Sequence, residues 1–121
     1  MVEGKCHCGN VSLILGKLPK SLTQCNCSVC NRLGALWGYY YPGKVQIAIQ
    51  TAPLVQYAWG KRHLVLYHCP ICSCTTHYQT TEVSGNDWTG VNFRMMNLPV
   101  INSLPLRLFD GADSGLYLDE F

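Results

Sequence analysis

The sequence predicts a mainly β protein with antiparallel sheets and one short helix. Several short segments alternate apolar and polar residues or are rich in branched and aromatic side chains, as half-buried strands are. Turn signals separate these segments at short intervals, and only one segment carries both a start and a stop signal for a helix. Because parallel strands need long crossover connections, such close spacing favours antiparallel pairing.

The predicted strands lie in the middle and C-terminal parts of the chain. In order they are VQIAIQ (45–50), LVQYAW (54–59), HLVLYHC (63–69), CTTHYQT (74–80), GVNFRMM (90–96) and VINSLPLRLFDG (100–111). The turn signals between and after them are Pro42-Gly43, Gly60-Lys61, Gly85-Asn86-Asp87 and Asp110-Gly111.

The predicted helix follows Ser28. Ser28 is a residue type that caps helix N-termini, and Gly34 lies where a glycine would end a single short helix.

Length and composition predict one domain spanning 1–121, with a core at about 4–113 and a loosely held tail in 110–121. The first residues lack the apolar stretch of a signal peptide, and no segment reaches the length of a membrane span. We therefore expect a cytoplasmic protein with no membrane partner. No run of Lys or Arg exceeds Lys61-Arg62, so we also expect no nucleic-acid partner. Nothing in the sequence predicts an oligomeric state.

The eight cysteines fall into three tight clusters: Cys6-x-Cys8, Cys25-x-Cys27-x-x-Cys30 and Cys69-x-x-Cys72-x-Cys74. A disulfide framework is the competing interpretation, but it requires a secreted context and more widely spaced cysteines. Metal binding is the favoured interpretation.

The first and third clusters together predict a closed, four-thiolate structural zinc. Cys6 and Cys8 would share one face of a strand while His7 points the other way, and Cys69 and Cys72 have the spacing of a zinc knuckle.

The middle cluster predicts a second zinc with three protein ligands, the number typical of catalytic sites. Cys25 and Cys27 would come from an extended segment and Cys30 from the first turn of the helix. The fourth partner could be an incoming thiol, with water or nothing in the resting state. It could also be Cys74, the remaining cysteine, or another protein ligand.

Four segments resemble the glutathione-dependent formaldehyde-activating enzyme family, whose zinc-binding β-tent fold is shared with centromere protein V. They are GKCHCGNVSL, CNCSVCNRLGALWGYY, YHCPICSCTTHY and VNFRMMN…LRLFDGAD, and they cover the chain from Gly4 to about Asp113. The chain differs from the family pattern at Asn26, often histidine, at Ser73, usually glycine, and at Met95-Met96.

The resemblance implies a structural zinc on Cys6, Cys8, Cys69 and Cys72 and a catalytic zinc on Cys25, Cys27 and Cys30. It implies a carbon–sulfur lyase resembling S-(hydroxymethyl)glutathione synthase, with two zinc ions per chain and with glutathione and formaldehyde or a related small aldehyde as substrates. A thiolate-rich site suits a fourth thiolate, whose sulfur would be nucleophilic. The alternative is a non-catalytic zinc module that binds a protein partner, since fold alone does not decide function.

Other candidate residues each have a plain structural interpretation. Arg94 could bind a glutathione carboxylate, although an arginine on a strand more often makes a surface contact. Trp37 and the tyrosines at 39–41 could line a pocket or fill the core. His63, His68 and His77 could carry protons or bind metal, or be structural.

Overall fold

The computed structural model describes residues 1–118 and confirms the mainly β prediction. Its strands are β1 (Val2–Lys5), β2 (Val11–Leu15), β3 (Leu22–Cys25), β4 (Trp37–Tyr40), β5 (Val45–Ile49), β6 (Val55–Tyr57), β7 (Leu64–His68), β8 (Thr75–Thr80), β9 (Thr89–Asn92) and β10 (Leu106–Phe109). Two short helices, α1 (Ser28–Leu33) and α2 (Leu98–Asn102), and the 3-10 turns Glu82–Ser84 and Phe93–Met95 complete the described part.

The strands form two sheets. A three-stranded antiparallel sheet has the order β1-β2-β5, and a seven-stranded sheet has the order β10-β3-β4-β9-β8-β7-β6. The larger sheet is antiparallel except where β10 pairs with β3 in parallel. The C-terminal strand therefore lies beside the strand that ends in Cys25.

Alternation along the strands decides which side chains enter the core. Val11, Leu13 and Leu15 of β2 are fully buried while the residues between them are not. On β4 the alternation separates Tyr40, which joins this core, from Trp37, which joins a second cluster with Cys30 and Tyr78. The second cluster lies beside the middle cysteine group.

Three predicted strands are much shorter than the pattern indicated, and of LVQYAW (54–59) only Val55–Tyr57 is strand. The segment 90–96 leaves the sheet after Asn92, whose side-chain oxygen accepts from the Arg94 N–H at 3.1 Å and caps a 3-10 turn. The segment 100–111 becomes a strand only at Leu106. Its first residues belong to α2, a second helix that was not expected; Pro99 lies in the first turn, where proline's fixed φ favours a helix.

Residues 110–118 of the expected loose tail are held against the larger sheet. The Leu118 N–H donates to Leu108 at 2.9 Å, and the Tyr117 hydroxyl lies 3.0 Å from that of Thr23. The Arg107 guanidinium carbon lies 3.8 Å from the centre of the Tyr117 ring, an arrangement that adds cation–π attraction. The rest of the tail, 119–121, lies outside the described residues.

No helix in residues 1–118 is both long enough and apolar enough to span a membrane.

His77 is a buried histidine on β8, and we expect it to make folding pH-dependent. Its ring stacks on Tyr67, its Nδ1 lies 2.8 Å from the Thr76 hydroxyl, and burial lowers its pKa to about 4. Below its ordinary pKa of about 6.5, the unfolded chain takes up a proton that the folded chain does not. Stability is therefore full above pH 6.5 and falls as the pH drops toward 4.

Urea unfolding at pH 7 and pH 5 measures this effect. Between pH 7 and pH 5, the free energy of unfolding should fall by about 2 kcal/mol more in the wild type than in His77→Gln, whose side chain takes up no proton. Protonation of the cysteines is common to both proteins and cancels in the comparison. Equal losses would show that His77 is not the responsible group.

Candidate metal centres

Two groups of cysteines among residues 1–118 bring their sulfurs close enough to hold metal ions. One consists of Cys6, Cys8, Cys69 and Cys72, and the other of Cys25, Cys27 and Cys30. Within each group the sulfurs lie within 4.8 Å of one another. The fold thus assembles the same two groups that the sequence pattern combined, and we call them the four-cysteine and three-cysteine groups.

The four-cysteine group is built from two turns. Cys6 and Cys8 lie in the turn between β1 and β2, so the predicted shared strand face is wrong. The turn closes through the Gly9 N–H, which donates to the Cys6 carbonyl at 3.0 Å, and Gly9 adopts a left-handed φ of 84°. Curling of the backbone, not strand alternation, brings the two sulfurs to one side.

The second turn links β7 to β8. The Ser73 N–H donates to the Cys69 carbonyl at 2.9 Å, and the Cys69 N–H donates to the Cys74 carbonyl at 3.0 Å. Ser73 has a φ of 67°, a left-handed conformation that favours glycine. The geometry explains why a glycine would suit this position.

The sulfur spacing fits a tetrahedral metal site. Zinc–sulfur bonds of about 2.3 Å place neighbouring sulfurs of a tetrahedron about 3.8 Å apart. Cys8 Sγ lies 3.7 Å from Cys6 Sγ and 3.6 Å from Cys69 Sγ. Four thiol ligands in this arrangement would make a closed metal site, which would tie the small sheet to the larger one.

Backbone N–H donors surround the sulfurs of the group. The Val11 N–H donates to Cys6 Sγ at 3.3 Å, and the Ile71 N–H donates to Cys69 Sγ at 3.4 Å. Burial raises the pKa of Cys72, but backbone N–H donors from Cys74 and Cys8 outweigh it and lower that pKa to about 5. Metal binding requires thiolates, so the donors that lower the pKa of Cys69 and Cys72 favour it.

Asn10 is a buried residue that sequence reasoning missed. Its amide nitrogen donates to the Ala52 carbonyl at 2.8 Å and to Cys69 Sγ at 3.6 Å. Its oxygen accepts from the backbone N–H of Thr51 and of Ala52. Asn10 thus links the loop after β5 to the four-cysteine group.

The three-cysteine group lies where β3 passes into α1. Cys25 ends β3, Cys27 is the N-cap of α1, and Cys30 lies in its first turn. Cys27, rather than the expected Ser28, caps the helix, because its sulfur accepts from the Cys30 N–H at 3.5 Å. The predicted stop is present: Gly34 has a left-handed φ of 65°.

The surroundings shift the thiol pKa of Cys30 and of Cys27 in opposite directions. Burial raises the pKa of Cys30, although the Trp37 indole N–H donates to its sulfur at 3.3 Å. Burial raises the pKa of Cys27, but hydrogen bonds from the backbone N–H groups of Cys30 and Val29 and from the neighbouring thiols together lower it. Three thiolates this close repel one another, so a bound cation is the partner that favours ionisation of all three.

Cys74 lies with the four-cysteine group. It packs against the core cluster of Cys6, Val11 and Cys69. Among the described residues, its sulfur is not part of the three-cysteine group.

The three-cysteine group opens onto a pocket of about 520 Å³. Besides the cysteines, its lining consists of Leu64, Gly111 and seven aromatic side chains: Trp37, Tyr39, Trp59, Tyr78, Trp88, Phe109 and Tyr117. Sequence reasoning considered Trp37 and Tyr39 and missed the rest. The available signal was the placement of the other two tryptophans beside predicted turns.

Gly111 and Asn26 position the loop at the mouth of the group. A side chain on Gly111 would begin 2.6 Å from Cys25 Sγ, so only glycine allows the loop this close. Asn26 donates to the Asp110 carboxylate and accepts from the Ala112 N–H, both at 3.0 Å. The Asp110-Gly111 turn, predicted from sequence as a turn alone, thus covers one side of the three-cysteine group.

We expect Gly111→Ala to weaken metal binding by the three-cysteine group about tenfold or more, the effect typical of changes next to ligands. The new methyl would displace Cys25 or the loop. Metal competition with a chromophoric chelator measures the change. Gly16→Ala is the matched control, because a methyl there meets no atom within 4 Å. Unchanged affinity in Gly111→Ala would contradict the close packing at this loop.

The remaining sequence candidates do not line this pocket. Arg94 is exposed and donates from Nε to the Gly34 carbonyl at 3.1 Å, at the end of α1. His63 is exposed, and His68 lies on β7 beside a different cavity. None of these three residues, nor His77, is among those that line the pocket.

Comparisons with known proteins find a similar fold and name no activity. No family model matches the chain, and no curated protein matches it. A crystal structure of a Rhodobacter sphaeroides protein, a Northeast Structural Genomics target, is similar with a TM-score of 0.70 and 26% sequence identity. The match covers 86% of this chain and 98% of that one.

Proposed function

We propose that the protein is a zinc-dependent carbon–sulfur lyase or synthase that joins a thiol to formaldehyde or a related small aldehyde. The observation that carries this proposal is the three-cysteine group, which has one ligand fewer than a closed site and faces a pocket. The resemblance to the glutathione-dependent formaldehyde-activating family supports it and makes glutathione the first thiol to test.

Zinc suits the donor sets, because both consist of cysteine sulfurs with spacings that a tetrahedral ion requires. In the proposed site, zinc would keep a fourth, incoming sulfur in its thiolate form at neutral pH. In the overall reaction a bond forms between that sulfur and the aldehyde carbon as the carbonyl π bond breaks, and the thiol proton ends on the aldehyde oxygen. No oxidant or reductant is needed.

The chain's own residues would hold and enclose the reactants. The Trp37 indole N–H fixes the Cys30 sulfur, and the Cys30 N–H fixes the Cys27 sulfur. The Trp88 indole N–H donates to the Tyr78 hydroxyl at 2.8 Å, which orients two rings of the pocket wall. Apolar rings at this position exclude water from the sulfur.

A closed second site would instead support the alternative, a zinc module that binds a protein partner. The position of Cys74 beside the four-cysteine group supports the enzyme, since Cys74 was the main rival for the fourth ligand.

Cobalt substitution tests the proposal, because the thiolate charge-transfer band reports how many sulfurs bind the metal. Adding glutathione should raise this band in the wild type and in Cys74→Ala alike. Formation of the hemithioacetal from glutathione and formaldehyde should accelerate in parallel. A band that no thiol changes would mean that the site is already closed and that the proposed function is wrong.

A further inference from the structure

Apart from the three cysteine sulfurs, the pocket beside the three-cysteine group is lined by uncharged residues. Among the described residues, no Lys, Arg, His, Asp or Glu lines it. Its volume of about 520 Å³ falls within the range of pockets that bind small organic molecules. Whatever thiol approaches the cysteine sulfurs must place the rest of its body against these aromatic rings.

Glutathione suits such a lining poorly. It carries two carboxylates and one ammonium group, and each would lose water against the rings without gaining a charged partner in the pocket. Basic side chains lie outside the pocket. Lys61 and His63 line a neighbouring cavity, and Arg107 lies over the ring of Tyr117.

We propose that the thiol which this pocket selects is uncharged and has an aromatic or branched apolar body. This inference rests on the proposed function and names its substrate class. Sulfur at the metal fixes one end of the molecule, and burial of an apolar body against the rings stabilises the other. Ring–ring contacts with Trp59 and Trp88 add a preference for a planar body.

The chain supplies its own reporter, because all three of its tryptophans line the pocket. Quenching of tryptophan fluorescence in the zinc-loaded protein measures occupancy, and the cobalt-loaded protein reports sulfur binding separately. The two probes are benzyl mercaptan, an uncharged aromatic thiol, and glutathione.

We expect benzyl mercaptan to bind at least about tenfold more tightly than glutathione, because burial of one aromatic side chain gives a factor of this size. Trp59→Ala, which removes a half-buried wall of the pocket, should lower the affinity for benzyl mercaptan about tenfold and leave that for glutathione nearly unchanged. Tyr41→Ala is the control: Tyr41 is 79% exposed and lies outside this pocket.

The outcomes separate the inference from the proposed function. If both thiols raise the cobalt band and glutathione binds as tightly as benzyl mercaptan, the proposed function stands and the inference is wrong. Equal weakening of both thiols by Trp59→Ala would also overturn the inference. If neither thiol changes the band, the proposed function itself fails and the substrate class falls with it.

Discussion

Cys69→Ser is expected to destabilise the protein more than any other single substitution among the candidate ligands, by at least about 4 kcal/mol. Cys69 is fully buried and lies in the turn between β7 and β8, while Cys6 and Cys8 lie in the turn between β1 and β2. A metal ion held by the four-cysteine group would therefore join the two sheets. Loss of one ligand removes metal-binding energy that is also folding energy.

Thermal unfolding of the purified zinc-loaded proteins measures this effect. Cys74→Ser is the matched control, because Cys74 lies beside the group but is not one of its four sulfurs. The control should unfold close to the wild type, whereas Cys69→Ser should unfold far below it or fail to fold. Similar unfolding temperatures for the two variants would show that the four-cysteine group contributes little to stability.

Local features of the fold were predictable from the sequence. Alternation identified β5, and runs of branched and aromatic residues identified β7 and β8, because these strands are half buried. Gly34 predicted the end of α1, since a left-handed residue there is a local requirement. Cysteine spacing predicted which sulfurs cluster within each short segment, because short spacings restrict the geometry. The pairing of the first cluster with the third followed from ligand number, since two pairs of thiolates complete a tetrahedral site.

Other features were not predictable, whether they depend on which of two neighbouring residues caps a helix or on distant contacts. The N-cap of α1 is Cys27 rather than Ser28, because the sulfur that faces the metal group also accepts the helix N–H. α2 forms within a segment whose sequence predicts a strand. Val100 and Ile101 of this helix pack against the core. There packing overrides the strand propensity of branched residues.

The aromatic pocket depends on the same kind of long-range assembly. Its rings come from β4, from β8, from the loops that carry Trp59 and Trp88, and from the C-terminal segment with Phe109 and Tyr117. The parallel pairing of β10 with β3 brings that last segment to the cysteines, with Phe109 opposite Cys25. No local pattern in the sequence encodes such a pairing.

Cys27→Ser is expected to abolish metal binding by the three-cysteine group and the proposed activity while leaving the fold nearly intact. Serine is among the best N-cap residues, so its hydroxyl can accept the Cys30 N–H that the Cys27 sulfur accepts now. The substitution thus keeps the helix cap and removes a thiolate ligand. It separates the chemistry of the residue from its structural role.

Two measurements on one preparation check this expectation. Elemental analysis should show about one zinc per chain less than in the wild type, and the unfolding temperature should stay within a few degrees of it. The contrast with Cys69→Ser matters most, because the three-cysteine group lies within the single segment from β3 to α1, whereas the four-cysteine group joins two sheets. A loss of stability in Cys27→Ser as large as that in Cys69→Ser would contradict this division. Full retention of the second metal would show that two cysteines suffice to bind it, and the three-ligand site would then be wrong.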